Sequence, residues 1–461
     1  MSALDECPIE RWPAALSLSE RTKLLRDAST LAGFSGIKSA DSAQPTQTDE
    51  IVKILREGVP PPWAFTARFE EPVGRAPRPF NLARSLSIGP RAQLMQFLMR
   101  VTAAGGALSE VRVANSLYAA LVEEIEILIF RTLTLEERIA GLEGDSISAA
   151  ETLNDSLRRT EGRRKLFETY PGLLRQLHLR TDRWLIACAE MIDRLQADRQ
   201  ALKHAFGIEP MDSLVSATMA HGDAHIGGRR VILLRFKSGA RLVYKPRPVE
   251  AARRFQELIA FLNRAGLDPA LRTIKVLPRS GYGWVEHVPN RSCRNESGIN
   301  RYFRRAGALI AALQVAGASD CHFENVMADG EHPIVIDLET LMRPQVRSVA
   351  NATDLAILAI DDSLLAIGML PSIDGTDLGA LAVLPDQTTQ LTTIGLIDAG
   401  TPTARVERMP WRLGDVPSLP LRKGERVDAI NYADDIENGF IEAYELIVKH
   451  REMLLGFVDK A

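Results

Sequence analysis

Apolar residues follow two rhythms along the chain, and the change between them divides it. From residue 91 to about 215 they recur every three to four positions, first over 93–99 and then over 111–135. Residues 146–170 are charged and amphipathic, and Pro171-Gly172 closes them. Over 173–206 the rhythm returns, with Trp184, Leu185, Ile186, Met191, Ile192, Leu195 and Leu202 on one broad face. This period predicts a large helical scaffold. Short β-branched runs then take over. Residues 231–236 and 241–245 flank the turn cluster Lys237-Ser238-Gly239-Ala240, and 273–277 and 284–288 flank Ser280-Gly281-Tyr282-Gly283. A third pair, 325–328 and 333–338, flanks Asp329-Gly330, a turn dipeptide. These read as hairpins, with helices at 249–265 and 299–316 between them.

The ends are less regular. Residues 1–90 read as an appendage, with short helices at 17–32 and 49–57 and an extended proline-rich strap at 58–79. Residues 346–461 are mixed, with a Pro/Gly/Thr-rich stretch at 398–424 and an amphipathic helix at about 432–457. The expected organisation is an appendage (1–90), a helical scaffold (91–215), a core carrying the chemistry (216–345) and a C-terminal lobe (346–461). The fold class expected is α+β.

Composition narrows the function classes. The chain has 461 residues, 46% hydrophobic and 25% charged, an ordinary globular balance with material for two to four domains or lobes. A formal net charge of −3 gives no global field toward nucleic acid or membrane. Cys7, Cys188, Cys293 and Cys321 form no C-x-x-C, which argues against a disulfide framework and a cysteine zinc site and suits a reducing cytoplasm. The first 17 residues contain no apolar signal core. The most apolar run, 306–318, is too short to span a bilayer and reads as a buried core helix.

The chemistry concentrates in two segments. Phosphoryl transfer needs a carboxylate to orient the attacking hydroxyl, and an amide and a second carboxylate to hold the metal that bridges the phosphates. Asp320 and Asn325 fit the first two roles, and Asp337, beyond the hairpin, fits the third. His322, two residues from Asp320, is positioned to polarise the hydroxyl or contact phosphate, and Glu339 can add a metal ligand. Upstream, Gly222-Asp223-Ala224-His225-Ile226-Gly227-Gly228-Arg229 precedes a strand, and its small residues let backbone amides approach phosphate oxygens. Lys245 ends the next strand, where a kinase carries its nucleotide lysine. Pro246 cuts that strand, so Lys245 and Arg247 are expected to project from an edge. Glu250 and Glu257 are alternative carboxylates to orient Lys245. The order of glycine turn, strand, strand with lysine, helix, hairpin, helix, Asp-x-His-x-x-Asn, hairpin and Asp is that of a two-lobed kinase-like core. ATP and magnesium are the expected cofactors, and no zinc site is expected.

At these residues the chain resembles the dehydratase domain of class II lanthipeptide synthetases, the LanM family, whose core resembles phosphoinositide kinases. The matching text is Gly222-Asp223-Ala224-His225 with Gly228-Arg229, Val243-Tyr244-Lys245-Pro246-Arg247, Tyr282-Gly283-Trp284, and the segments Asp320 to Asn325 and His332 to Leu341. Looser likeness at Tyr170-Pro171-Gly172-Leu173-Leu174 and at Gly439-Phe440 with Tyr444 extends it over roughly residues 90–460. The resemblance implies ATP-dependent phosphorylation of Ser and Thr in a precursor peptide, then phosphate elimination to dehydroalanine and dehydrobutyrine. Lys245, Asp320, His322, Asn325 and Asp337 would serve phosphorylation, and Asp223 and His225 elimination. The family's Arg and Thr for elimination fall beyond Ala461, as does its zinc-dependent cyclase. A truncated dehydratase with impaired elimination is therefore expected, with precursor peptide, and a separate cyclase or completing chain, as partners. A kinase acting on a non-peptide substrate, or a non-catalytic remnant that binds leader peptide, are the alternatives.

Overall fold

A computed structural model describes residues 78–142, 153, 155–220, 225–341, 363–371, 378–382, 388–397, 405–412 and 416–458, all within the unit Ile51–Ala461. The helices expected at 17–32 and 49–57, and nearly all of the strap, lie outside the described residues.

The helical rhythm becomes α1 (Arg78–Ala103), α2 (Glu110–Leu142), α3 (Thr160–Thr169), α4 (Pro171–Ala197) and α5 (Arg199–Phe206). Pro171 opens α4, where its fixed φ suits a helix and its missing N–H costs nothing. Gly207 closes α5 at φ 74°, a left-handed position glycine adopts without strain. Leu117, Leu121, Ile125 and Ile129 of α2 are fully buried at intervals of four. Each contributes about 2 kcal/mol of apolar burial, so packing rather than propensity holds the long helix.

The strands β1 (Leu214–Met219), β2 (Ile232–Phe236), β3 (Arg241–Lys245), β4 (Val276–Arg279) and β5 (Tyr282–Glu286) form one antiparallel sheet in the order β1-β2-β3-β5-β4. Helix α6 (Glu250–Arg264) connects β3 to β4. Sequence reading misses β1 and sets β4 and β5 two to three residues out of place. It also puts Lys245 on an edge, whereas β3 is the central strand, with Lys245 opposite Gly283 of β5. Pro246 does end β3, but β5 covers the flank that would otherwise be open.

Helix α7 (Glu296–Val315) follows, capped by Asn295, whose side chain accepts from the Gly298 N–H at 2.9 Å. The apolar run expected as a core helix is its buried face, Gly307 to Leu313. The hairpin β6 (Val326–Asp329) and β7 (His332–Val335) comes next. Beyond it, β8 (Thr388–Ile397) pairs with β9 (Arg405–Arg412), and β10 (Leu421–Arg422) with β11 (Glu425–Arg426). Helices α8 (Ala433–Lys449) and α9 (Arg451–Val458) follow. Gly307 and Gly439 mark the crossing of α7 and α8: a Cβ on either would overlap the other helix's backbone, at Ile436 and Arg304 respectively.

Two large hydrophobic clusters result. One joins α1 to α5 with the α4-facing side of the sheet, and the other joins α6, α7, the β6–β7 hairpin and α8. A small third cluster of Val249, Ile274, Val285, Val288 and Ile334 carries sheet residues onto the hairpin. Among the described residues no helix is long and apolar enough to cross a membrane.

Candidate functional site

Strand periodicity builds the site. Successive side chains of β3 alternate between the two faces of the sheet. Tyr244 turns toward α4, where its hydroxyl receives a hydrogen bond from Arg194 at 2.5 Å. Lys245 therefore turns to the opposite face, toward the β6–β7 hairpin. There its ammonium donates to the Ile336 carbonyl at 2.6 Å and lies 3.7 Å from Asp337 Oδ1. It is buried, 7% exposed, which excludes a solvated basic edge. Burial pushes its pKa down to about 8, against the pull of Asp337 and with the push of Arg247.

The hairpin brings the other candidates to the same place. Its ladder ends at Val335, but Ile336 still donates its N–H to the Asn325 carbonyl at 2.8 Å. Asn325 is thus fixed beside the segment that carries Asp337. The Asn325 side-chain amide donates to the Asp320 carbonyl at 2.8 Å, folding the 320–325 loop back on itself. Asp320 has φ 62°, an uncommon conformation outside glycine. Neighbouring backbone maintains it: Cys321 N–H donates to Ile367 at 2.8 Å and Phe323 N–H to Leu378 at 3.1 Å. The Asp320 side chain is left 55% exposed. His322 Nδ1 accepts from the Glu324 N–H at 3.2 Å, and its Nε2 lies 3.3 Å from the Asn325 amide nitrogen and 3.6 Å from Asp320 Oδ1.

Arg247, which the sequence sets beside Lys245 on an open edge, is instead held by carboxylates. Its guanidinium spans Asp337 and Glu339, with Nη2 2.5 Å from Asp337 Oδ1. Glu250 and Glu257 are engaged by Arg253 and Arg254 of their own helix, and the carboxylate beside Lys245 is Asp337. Among the described residues no group of three or more His, Cys, Asp and Glu could hold a metal ion. The carboxylates that meet here are Asp337 and Glu339, a hard oxygen pair that could hold a magnesium ion only with further ligands from neighbouring groups, water or phosphate.

Gly222 and Asp223 lie outside the described residues. The described ends of the β1–β2 connection lie at the Lys245 end of the sheet, since Ile232, at the start of β2, pairs with both Met219 at the end of β1 and Tyr244. The described part of that connection is tight. His225 N–H donates to the Arg229 carbonyl at 2.7 Å. Gly228, at φ 74°, has room for no Cβ beside Arg183. A cavity of about 610 Å³ lies elsewhere, between α2, Arg180 and the end of β1, and none of the candidate residues lines it.

A polar stripe on α4 escapes sequence reading. Glu190 binds Arg229 and Arg194, each at 2.6 Å. Asp198 accepts from Arg279 at 2.7 Å and from Tyr282 and Trp284 at 2.8 Å. The stripe ties the glycine loop, β3, β4 and β5 to one helix. Its signal was available, since residues 190, 194 and 198 repeat every four positions beside the apolar face of α4.

The buried strand lysine, the Asp-x-His-x-x-Asn loop and the Asp beyond it are the motifs on which the resemblance to the LanM family rests. Residues 170–460 match the family model described as a domain of unknown function, DUF4135, and the chain belongs to that family. It is also 26% identical over 271 residues to the Lacticin 481/lactococcin biosynthesis protein LcnDR2 of Lactococcus lactis subsp. lactis. That match covers 54% of this chain and 28% of the relative's length. Both findings support the resemblance drawn from the motifs.

Proposed function

We propose that this chain acts in lanthipeptide biosynthesis as a dehydratase with a two-lobed, kinase-like core. It phosphorylates Ser and Thr hydroxyls of a precursor peptide with ATP, then removes the phosphate to leave dehydroalanine or dehydrobutyrine. The observation that carries this reading is the meeting of Lys245 with the Ile336-Asp337 segment, at 2.6 and 3.7 Å, beside the Asp320–Asn325 loop. The groups come from far-apart segments and match the needs of phosphoryl transfer. The two large hydrophobic clusters, with these residues where sheet and hairpin meet, support the lobed arrangement.

Each residue has a role that its surroundings suit. The exposed Asp320 carboxylate accepts the hydrogen bond of the attacking hydroxyl and takes its proton as the bond to phosphorus forms. His322 Nε2, beside it, donates to Asp320 or to a phosphoryl oxygen. Lys245, held by the Ile336 carbonyl, offers its remaining N–H bonds to the nucleotide phosphates. Asn325, Asp337 and Glu339 would hold magnesium, which would neutralise charge on the phosphates. For elimination, the resemblance points to Asp223 and His225, and His225 belongs to the β1–β2 connection, whose described ends lie at the Lys245 end of the sheet. A base there removes the α-proton as phosphate departs from the β-carbon.

Co-expression with a precursor peptide encoded beside this gene, read by mass spectrometry, tests the proposal. The expected products carry added phosphate or have lost water. Asp337→Ala removes both, and Asp223→Asn and His225→Ala accumulate phosphopeptide. An unmodified peptide, together with absence of ATP binding, would sink the reading.

A further inference from the structure

Arg247 stands where a metal ion is expected. Its Nη2 lies 2.5 Å from both carboxylate oxygens of Asp337, and its Nη1 pairs with Glu339. Asp337 and Glu339 are two residues apart, and the Glu339 N–H donates to Asp337 Oδ1 at 3.3 Å, which turns both carboxylates toward one cation. Lys245 and Arg247 are also two apart, and both reach Asp337. Asn325, held beside Ile336, has its amide N–H committed to the Asp320 carbonyl, which leaves its Oδ1 as an acceptor. The result is a pair of carboxylates with a guanidinium already between them, and Asn325 just before the adjoining strand.

The charges make the arrangement exclusive. Two cationic and two anionic side chains balance in this half-buried place, where side-chain exposure is 12% for Arg247 and 23% for Asp337. A divalent ion added to the unchanged arrangement would set four positive charges against two negative ones at short range and low dielectric, which is strongly unfavourable. The guanidinium and the ion therefore compete for the same oxygens.

We propose that Arg247 is the resident counter-ion of a divalent-cation site formed by Asn325, Asp337 and Glu339. It keeps the two carboxylates neutralised and converged, leaves when the ion arrives, and transfers to the phosphates of the nucleotide that accompanies the ion. The choice of ion site and this last transfer both rest on the phosphoryl-transfer reading given above, whereas the competition between guanidinium and ion is tested without nucleotide. A planar guanidinium suits the exchange, since it bridges two carboxylates as readily as it grips a phosphate.

Manganese binding to the full chain, followed by electron paramagnetic resonance without nucleotide, is the test. Arg247→Gln is expected to bind Mn²⁺ about tenfold more tightly than the parent, the scale of one lost charge-assisted competitor. Arg247→Lys is expected to fall between them, because a single ammonium cannot bridge both carboxylates. It also guards against a folding defect in the glutamine variant, and thermal melts check both proteins. Adding Asp337→Asn to Arg247→Gln should abolish the gain. The proposal is overturned if neither arginine variant binds Mn²⁺ more tightly, or if the gain survives Asp337→Asn. ADP should raise the Mn²⁺ affinity of the parent more than that of Arg247→Gln. Should ADP bind none of these proteins, the nucleotide reading fails, while the nucleotide-free comparison still decides the counter-ion role.

Discussion

Replacing Lys245 with methionine should stabilise the fold at neutral pH, destabilise it at high pH and remove phosphorylation throughout. The ammonium sits 7% exposed between sheet and hairpin, and its pKa falls from an ordinary 10.5 to about 8. Burial is the main cause, with Arg247 adding repulsion and Asp337 opposing both. Each pKa unit corresponds to about 1.4 kcal/mol, so holding the charged form in place costs about 3 kcal/mol. The unfolded chain binds more protons than the folded one between pH 8 and 10.5, so the parent's stability rises with pH across that window. Below pH 8 the penalty is present in full, and above 10.5 it is gone. Methionine keeps most of the volume and carries no charge, but it orphans the Ile336 carbonyl at a cost of about 1–2 kcal/mol. The variant should therefore be more stable by about 1–2 kcal/mol at pH 7 and less stable by a similar amount near pH 11. Urea unfolding of both proteins at a series of pH values measures the difference, from which titrations common to both cancel. Parallel curves, with a difference independent of pH, would refute the burial argument.

Asp329→Ala should cost about 3 kcal/mol in urea unfolding, the low end for a broken buried pair. Arg272 and Arg291 both grip this 2%-exposed carboxylate, but Arg291 is itself 65% exposed and can rehydrate. Burial raises the Asp329 pKa, but the two arginines outweigh it and hold the group below its ordinary value. Its contribution is therefore present above pH 3.8 and fades as pH falls through the lowered value; a loss under about 1 kcal/mol at pH 7 would count against this account. Gly307→Val should lower the melting temperature sharply or leave the protein insoluble, because its side chain meets the Ile436 backbone, and an unchanged melt would contradict the tight α7–α8 crossing. Asp320→Asn should slow peptide phosphorylation about 10²- to 10⁴-fold while nucleotide binding persists, the signature of a lost proton acceptor; a near-normal rate measured by phosphopeptide mass spectrometry would remove Asp320 from that role.

Periodicity carried the second half of α1, the helices α2, α4, α6 and α7, the three hairpins around the site and the order of their motifs, because each is encoded locally, whereas the start of α1 at Arg78 falls in what reads as strap and appendage. What it missed depends on partners distant in the chain. In β1, a bulge between Leu214 and Ser216 breaks the alternation. The strand also leans on α2, where Ser116 accepts the Ala217 N–H at 2.9 Å. Residues 388–412 hold Pro410 inside a strand, which argues against one when read alone, yet a two-stranded ribbon tolerates it at Thr392. Lys245 reads as an edge cation because nothing local reveals that β5 will pair on its open side. The alternative carboxylates Glu250 and Glu257 are plausible by helix proximity, but Arg253 and Arg254, three or four residues away on the same helix, claim them first.

The most instructive departure lies at Ile336. Alternating apolar residues suggest a strand running to Leu338, and the ladder instead ends at Val335. The Ile336 N–H still bonds Asn325 as a strand residue would, but its carbonyl turns to the Lys245 ammonium. Had the ladder continued, strand pairing would compete for that carbonyl, and Asp337 would be one more residue on a β-ribbon. Ending three residues early gives the lysine its acceptor and swings Asp337 and Glu339 toward Arg247. The apolar pattern therefore overshoots at the point where the chain gives up a regular hydrogen bond to assemble the candidate site. Such a conflict between local rule and structure is expected where function rather than packing selects the backbone path.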